Sequence, residues 1–204
     1  EKKKEHTSIE ELSYHMIGRQ ISSHVIEDIN PGDEVLCVKN MSMVGQSGKK
    51  VLDNVNISVR GGEIVGIAGV SGNGQSELVK CITGLETNYR GKIWVCGNDV
   101  TNKGVEDIRK AGLAHIPEDR YYWGSAKDAT LAENALMGDE NSQRFSKRGL
   151  LNFREIRKHV LQLVENYSIK IGFLSQKMRE LSGGNAQKLI VAREIEKKTR
   201  FLVA

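Results

Sequence analysis

The chain has 204 residues, enough for one sizeable core or a core with a small subdomain. Its 39% hydrophobic and 27% charged content is that of an ordinary globular protein, and 30 basic against 26 acidic residues leave a net charge of +4. Only 5% of residues are aromatic and the charges are interspersed, so no nucleic-acid partner is expected, and no apolar run approaches the roughly 18 residues of a membrane span.

Residues 1–34 are polar and charged and read as a linker. Ser8 and Glu11 make a capping box for a short amphipathic helix carrying Leu12, Met16 and Ile17, and Pro31-Gly32 closes the segment. Val35 to Val38 and Val51 to Val59 then read as antiparallel strands, separated by a turn-rich stretch from Gly45 to Lys50. Ile64 to Ala68 is a short apolar run expected to form a strand, followed by a glycine loop and by a helix from Ser76 to Ile82. Gly91 to Gly97 and Gly112 to Ile116 read as further strands, with a short helix over Val105 to Lys110 between them.

The middle of the chain is helical. A helix is expected over Ala129 to Met137, and Asn152 with Glu155 caps a longer one with Phe153, Ile156, Val160, Leu163, Val164 and Tyr167 on one face. The stop Leu181-Ser182-Gly183-Gly184 leads into a helix from Asn185 to Lys197 and a terminal strand. Strands alternating with helices argue for an α/β nucleotide-binding core with inserts. The first residue is not methionine and the last four form an apolar run, so both ends read as cut from a longer protein.

Cys37, Cys81 and Cys96 are scattered and without C-x-x-C spacing, and the five histidines pair with no ligand at metal spacing. Each cysteine sits in apolar context and reads as a small buried hydrophobe suited to a reducing compartment. His115, in a short apolar run, reads as a core or strand-end residue.

GVSGNGQSEL, Gly69 to Leu78, has the glycines of a phosphate-binding loop. Gly69, Gly72 and Gly74 allow a tight turn whose N–H groups, with those of Ser71 and Asn73, converge at a helix N-terminus. Ser76 occupies the position whose hydroxyl ligates Mg²⁺ on a bound nucleotide. The usual lysine is replaced by Gln75, and Glu77 adds a negative charge nearby. A charge-assisted hydrogen bond is worth about 1.5–3 kcal/mol and a neutral one about 0.5–1.5. The replacement should therefore cost about one to two orders of magnitude in affinity, and hydrolysis should suffer more because charge develops at the transferred phosphate.

LSGGNAQK, Leu181 to Lys188, places a serine and two glycines at a second helix start, again an anion-binding geometry. It resembles the LSGGQ signature of ABC-type ATPases, at the order and distance from the phosphate loop found in that family. Together with GNGQSEL and the IPEDR segment, Ile116 to Arg120, it resembles the second, degenerate ATPase half of tandem ABC importers for simple sugars and nucleosides. GNGQSEL and Ala192-Arg193-Glu194-Ile195 favour the nucleoside branch.

The resemblance implies a P-loop NTPase with a RecA-like core, an antiparallel β-subdomain and a helical subdomain at about 121–180. Residues 35–204 would form this partial ABC-type domain, truncated at its C-terminal end. It implies ATP and Mg²⁺ as cofactors, with Gly69 to Glu77 and Glu118 on one nucleotide. Leu181, Ser182, Gly183, Gly184 and Asn185 would reach the nucleotide of the partner half. Glu118 stands where the family carries its Q-loop glutamine, and 41–50 lacks the aromatic that stacks on adenine. The family's general base lies beyond Ala204, so no catalytic residue is assigned.

The implied partners are the first ATPase half of the same protein, transmembrane permease subunits and, indirectly, an extracellular substrate-binding protein, at the cytoplasmic face of the membrane. An alternative remains a non-hydrolysing, nucleotide-gated interaction module. ATPases of chromosome maintenance share both motifs but separate them by a long coiled coil, and no sustained heptads occur here.

Overall fold

The computed structural model describes residues 30–45, 47–70, 72–197 and 199–204. The helix expected near Ser8 and nearly all of the linker lie outside the described residues.

Strands β1 (Glu34–Val44) and β2 (Lys50–Arg60) form an antiparallel hairpin. β1 also pairs antiparallel with β3 (Arg90–Val95), and β3 with the two-residue β4 (Asn98–Asp99), giving the order β2-β1-β3-β4. Leu36 and Val38 face Val95 and Ile93 across the register, and all four lie in one core. Cys37, on the opposite face, stands across from Trp94, whose ring carries the Lys39 ammonium 5.5 Å from its centroid.

Helix α1 (Gln75–Thr83) adds Leu78, Cys81 and Ile82 to this core, a spacing that puts all three on one helix face. Burial pushes the Cys81 thiol up to about 11, so it stays a neutral core group. The helix ends at Gly84, whose φ of 78° is left-handed. Helix α2 (Val105–Lys110) then leads into β5 (Leu113–His115), which pairs in parallel with β8 (Phe201–Val203).

A second core gathers α3 (Leu131–Leu136), α4 (Phe153–Asn166) and α5 (Gly183–Glu196), with Phe145 and Met178 fully buried among them. Thr130 caps α3 in a reciprocal capping box with Glu133, which starts the helix at Leu131 rather than at Ala129. Asn152 caps α4 by accepting the Glu155 N–H at 3.3 Å. Between α3 and α4 lies a short hairpin, β6 (Ser146–Lys147) and β7 (Leu150–Leu151).

Two further expectations differ from the structure. Residues 63–70 run without strand hydrogen bonding, with Ile64 fully exposed and Val70 74% exposed. A parallel strand holds only beside a hydrogen-bonded neighbour. β5 and β8 take each other, and neither pairs with this segment. Phe153, expected on the inner face of α4, is 75% exposed, because Ile156, Val160 and Leu163 already fill that face.

Candidate functional site

The first anion cradle is the turn into α1. Gly72 and Gly74 both adopt left-handed φ, 90° and 93°, and the Asn73 N–H closes a turn on the Val70 carbonyl at 3.2 Å. Gly74 is obligatory for a second reason: a Cβ there would stand 2.5 Å from the Val51 carbonyl oxygen. It is the N-cap of α1 and offers no side-chain acceptor. The N–H groups of Gln75, Ser76 and Glu77 therefore find no acceptor among the described residues, which is the arrangement an anion requires.

Ser76 is exposed in this first turn, so its hydroxyl could hold Mg²⁺ through a bound nucleotide. The Gln75 side chain folds back over the loop, its Nε2 in the space that a Cβ on Gly69 would occupy. Ser71 lies outside the described residues. The donors present thus fit a phosphate group, with a neutral amide where a cation is usual.

After β5 the chain turns at buried Pro117, leaving Glu118 exposed. Asp119 accepts the N–H groups of Tyr121 and Tyr122, each at 2.9 Å, and the bonds from Tyr122 and Tyr121 hold its carboxyl below the usual range. This turn fixes Arg120. Its guanidinium stacks on Tyr121 at 5.4 Å and lies against Gly183, with the buried Nε lacking a partner among the described residues.

The second cradle is the start of α5. Leu181 is buried in the second core and anchors the approach. Ser182 is the N-cap, and its Oγ accepts from the Asn185 side-chain amide at 2.9 Å and, at longer range, from the Asn185 N–H at 3.5 Å. Both bonds use oxygen lone pairs and leave the hydroxyl proton free to donate. Asn185 Oδ1 in turn accepts the Lys170 N–H at 2.9 Å, tying the cap to the preceding loop. The two glycines differ: a Cβ on Gly183 would meet Arg120 Nη2 at 2.9 Å, whereas around Gly184 nothing lies within 4 Å. Gly184 keeps the approach open, and Gly183 seats an arginine.

One cluster had no signal in the sequence. Glu194 on α5 is fully buried and lies among Arg193 (Nε, 2.8 Å), Arg109 (Nη2, 3.3 Å) and Lys197 (Nζ, 3.4 Å). Arg193 also donates to the carbonyls of Asn134 and Gly124, both at 3.1 Å, joining α5 to α3 and to the turn after Arg120. Burial works against the Glu194 charge, but Lys197, Arg109 and Arg193 together hold its carboxyl below the usual range. Burial lowers Lys197 to about 8, and burial likewise lowers His115 nearby. Helical spacing alone does not distinguish this from the solvated charges of a surface face.

Residues 52–204 match the ABC transporter family. Over 197 residues the chain is 41% identical to the glucose import ATP-binding protein TsgD13 of Haloferax volcanii, covering 95% of this chain and 36% of that protein. It is 36% identical to the guanosine import ATP-binding protein NupO of Bacillus subtilis, covering 97% of this chain and 39% of that one. Among solved structures, MJ1267, an ATP-binding cassette of an ABC transporter in its ADP conformation, superposes with a TM-score of 0.62 at 25% identity, covering 83% of this chain and 67% of that one. The dimeric cassette MJ0796 gives 0.66 at 22% identity, covering 82% and 72%.

The chain belongs to the ABC transporter family and is similar to import ATP-binding proteins for sugars and nucleosides, and its fold is that of the family's P-loop cassette. It spans about two fifths of the length of these curated relatives. Among the described residues no helix is long and apolar enough to cross a membrane.

Proposed function

We propose that this chain is the second ATPase half of a tandem importer protein, coupling ATP binding and hydrolysis to uptake of a nucleoside or simple sugar. It acts chiefly in trans: Ser182, Gly183, Gly184 and Asn185 complete the nucleotide site whose phosphate loop belongs to the first half. The observation that carries this reading is the contrast between the two helix starts. That of α5 pairs open backbone N–H groups with a free serine proton and an unobstructed Gly184. That of α1 has equally open N–H groups but the uncharged Gln75 in place of a cation.

The names of relatives support the cargo class, since they include glucose, guanosine and nucleoside import proteins. Ser182 donates its proton to the γ-phosphate, and the Gly183 and Gly184 N–H groups hold its oxygens as charge develops. Mg²⁺, held through nucleotide at Ser76, would neutralise phosphate charge at the first cradle, and Glu118, in the Q-loop position, would serve the same nucleotide. The partners are the first half and the permease subunits, which place the chain at the cytoplasmic membrane face, with an extracellular binding protein acting indirectly. Residues 1–34 would link the halves, and the region around 121–180 would dock the permease.

Steady-state ATP turnover of the intact protein tests the asymmetry. Ser182→Ala should lower turnover by about two orders of magnitude, as loss of one donor to a developing oxyanion does. Gln75→Arg should change it less than about threefold, the scatter of a position outside the chemistry. Equal losses would replace division of labour with two equivalent sites. Binding of ATP without turnover in the unaltered protein would favour the nucleotide-gated interaction module.

A further inference from the structure

We propose that Arg120 supplies the cation of the second cradle, its guanidinium sharing with the first turn of α5 the terminal phosphate of the partner half's nucleotide. The inference rests on the trans reading above and adds a residue to it.

The start of α5 is open to an anion. The N–H groups of Gly183 and Gly184 have no acceptor among the described residues, and no acidic residue stands in the first turn. A helix Cβ points back toward the N-terminus. The place where Gly183 would carry one, 2.9 Å from Arg120 Nη2, therefore lies on the approach to that helix end. A cation beside the positive end of a helix dipole is unfavourable until an anion joins them.

Arg120 itself points the same way. Its Nε is buried without an acceptor, and the residue forms no ion pair among the described residues. Two acids lie next to it in the chain. Glu118 is exposed and pairs with no cation among the described residues, and Asp119 spends its carboxylate on the N–H groups of Tyr121 and Tyr122, both at 2.9 Å. Lys127, 5.7 Å over the same Tyr121 ring, adds charge of the same sign. Stacking on Tyr121 fixes the guanidinium but takes up none of its N–H donors. An unsatisfied buried donor is rare in a native structure and calls for a partner. With no hydrogen bond to break, the side chain can turn onto an anion at the cost of its stacking alone. Paired guanidinium donors match the oxygens of a phosphate, which would answer the arginine and the helix end together. The cation that Gln75 withholds from the first cradle thus stands at the second.

The test is titration of the full chain, without nucleotide, with inorganic tripolyphosphate, followed by NMR at the Gly184 amide and the Arg120 Nε–H. Both signals should move with one half-saturation concentration. Arg120→Gln should raise that concentration at Gly184 at least about tenfold, the ratio of a charge-assisted to a neutral hydrogen bond, with circular dichroism unchanged. Reading at Gly184 keeps binding at the first cradle out of the result. In the intact protein the same substitution should lower ATP turnover by at least about tenfold. A Gly184 signal that stays still, or that moves alike in Arg120→Gln, overturns the proposal. So does an Arg120 signal that stays still while Gly184 moves, or turnover that survives Arg120→Gln but not Ser182→Ala. Failure of the trans reading looks different: Ser182→Ala would leave turnover unchanged while the two signals still move together. The anion site would then stand, and only its assignment to the partner half's nucleotide would fall.

Discussion

Arg120 and Gly183 stand so close that a methyl group on the glycine would lie 2.9 Å from the guanidinium Nη2. One residue belongs to the turn after β5 and the other opens α5, so the contact joins the segment holding Glu118 to the signature helix. Gly183→Ala should push Arg120 off Tyr121. The atom that must give way is the end of a flexible side chain, so the helix itself should stay in place. Loss of the stacking contact should cost about 0.5–1 kcal/mol. A double-mutant cycle with Arg120→Ala, read by urea denaturation, should show coupling of that size. Strict additivity would mean that the two residues act independently.

Gly74 has no such flexible neighbour. Its φ is 93°, and an added Cβ would meet the Val51 carbonyl at 2.5 Å and Leu52 Cδ2 at 3.2 Å. Gly74→Ala therefore combines left-handed strain with a backbone clash and should cost at least about 2 kcal/mol. Gly72 has a similar φ of 90° but nothing within 4 Å, so Gly72→Ala should cost only the strain, about 1 kcal/mol. Thermal denaturation of the two variants side by side decides it; the same loss in both would mean that the clash at Gly74 is relieved elsewhere.

These two glycines also mark where sequence reading succeeds. GVSGNGQSEL and LSGGNAQK announce helix starts with open N–H groups, and both helices begin there, because glycine, serine and helical periodicity act locally. Features that depend on distant partners were not legible. The apolar run from Ile64 to Ala68 reads as a strand, yet no strand among the described residues pairs with it. Phe153 has the right spacing for the inner face of α4, yet the floor is already full. Arg193 and Glu194 are adjacent charges that look solvated in sequence, and only the packing of α5 against Arg109 and α3 buries them.

Glu194 is the one carboxylate among three cations in a region from which it is itself fully excluded from water. Glu194→Gln nearly preserves its shape but leaves Arg109, Arg193 and Lys197 without their counter-charge. Removing one partner of a buried ion cluster costs about 3–5 kcal/mol, and this variant should lose that much in urea denaturation. A loss below about 1 kcal/mol would show that backbone carbonyls, such as those of Asn134 and Gly124, already compensate the arginines.

Lys197 gives the cluster a dependence on pH. It donates to the Met137 carbonyl at 2.8 Å and to Glu194 at 3.4 Å, but burial brings it down to about 8. An unfolded lysine titrates near about 10.4. Between these values the unfolded chain holds more protons than the folded one, so this residue makes stability rise with pH across that window. Below about 8 both states carry the proton, and Lys197 contributes no slope. The groups acting on it are Glu194, whose carboxyl its cations hold below the usual range, and the guanidinium groups of Arg109 and Arg193. Other lysines, tyrosines and cysteines titrate in the same range, so the comparison must be with a variant. Lys197→Met should remove a rise in stability between about pH 8 and about pH 10 that the unaltered chain shows. If urea midpoints of the two proteins run parallel across that range, Lys197 keeps an ordinary affinity for its proton, and its bond to Met137 is that of a fully charged ammonium.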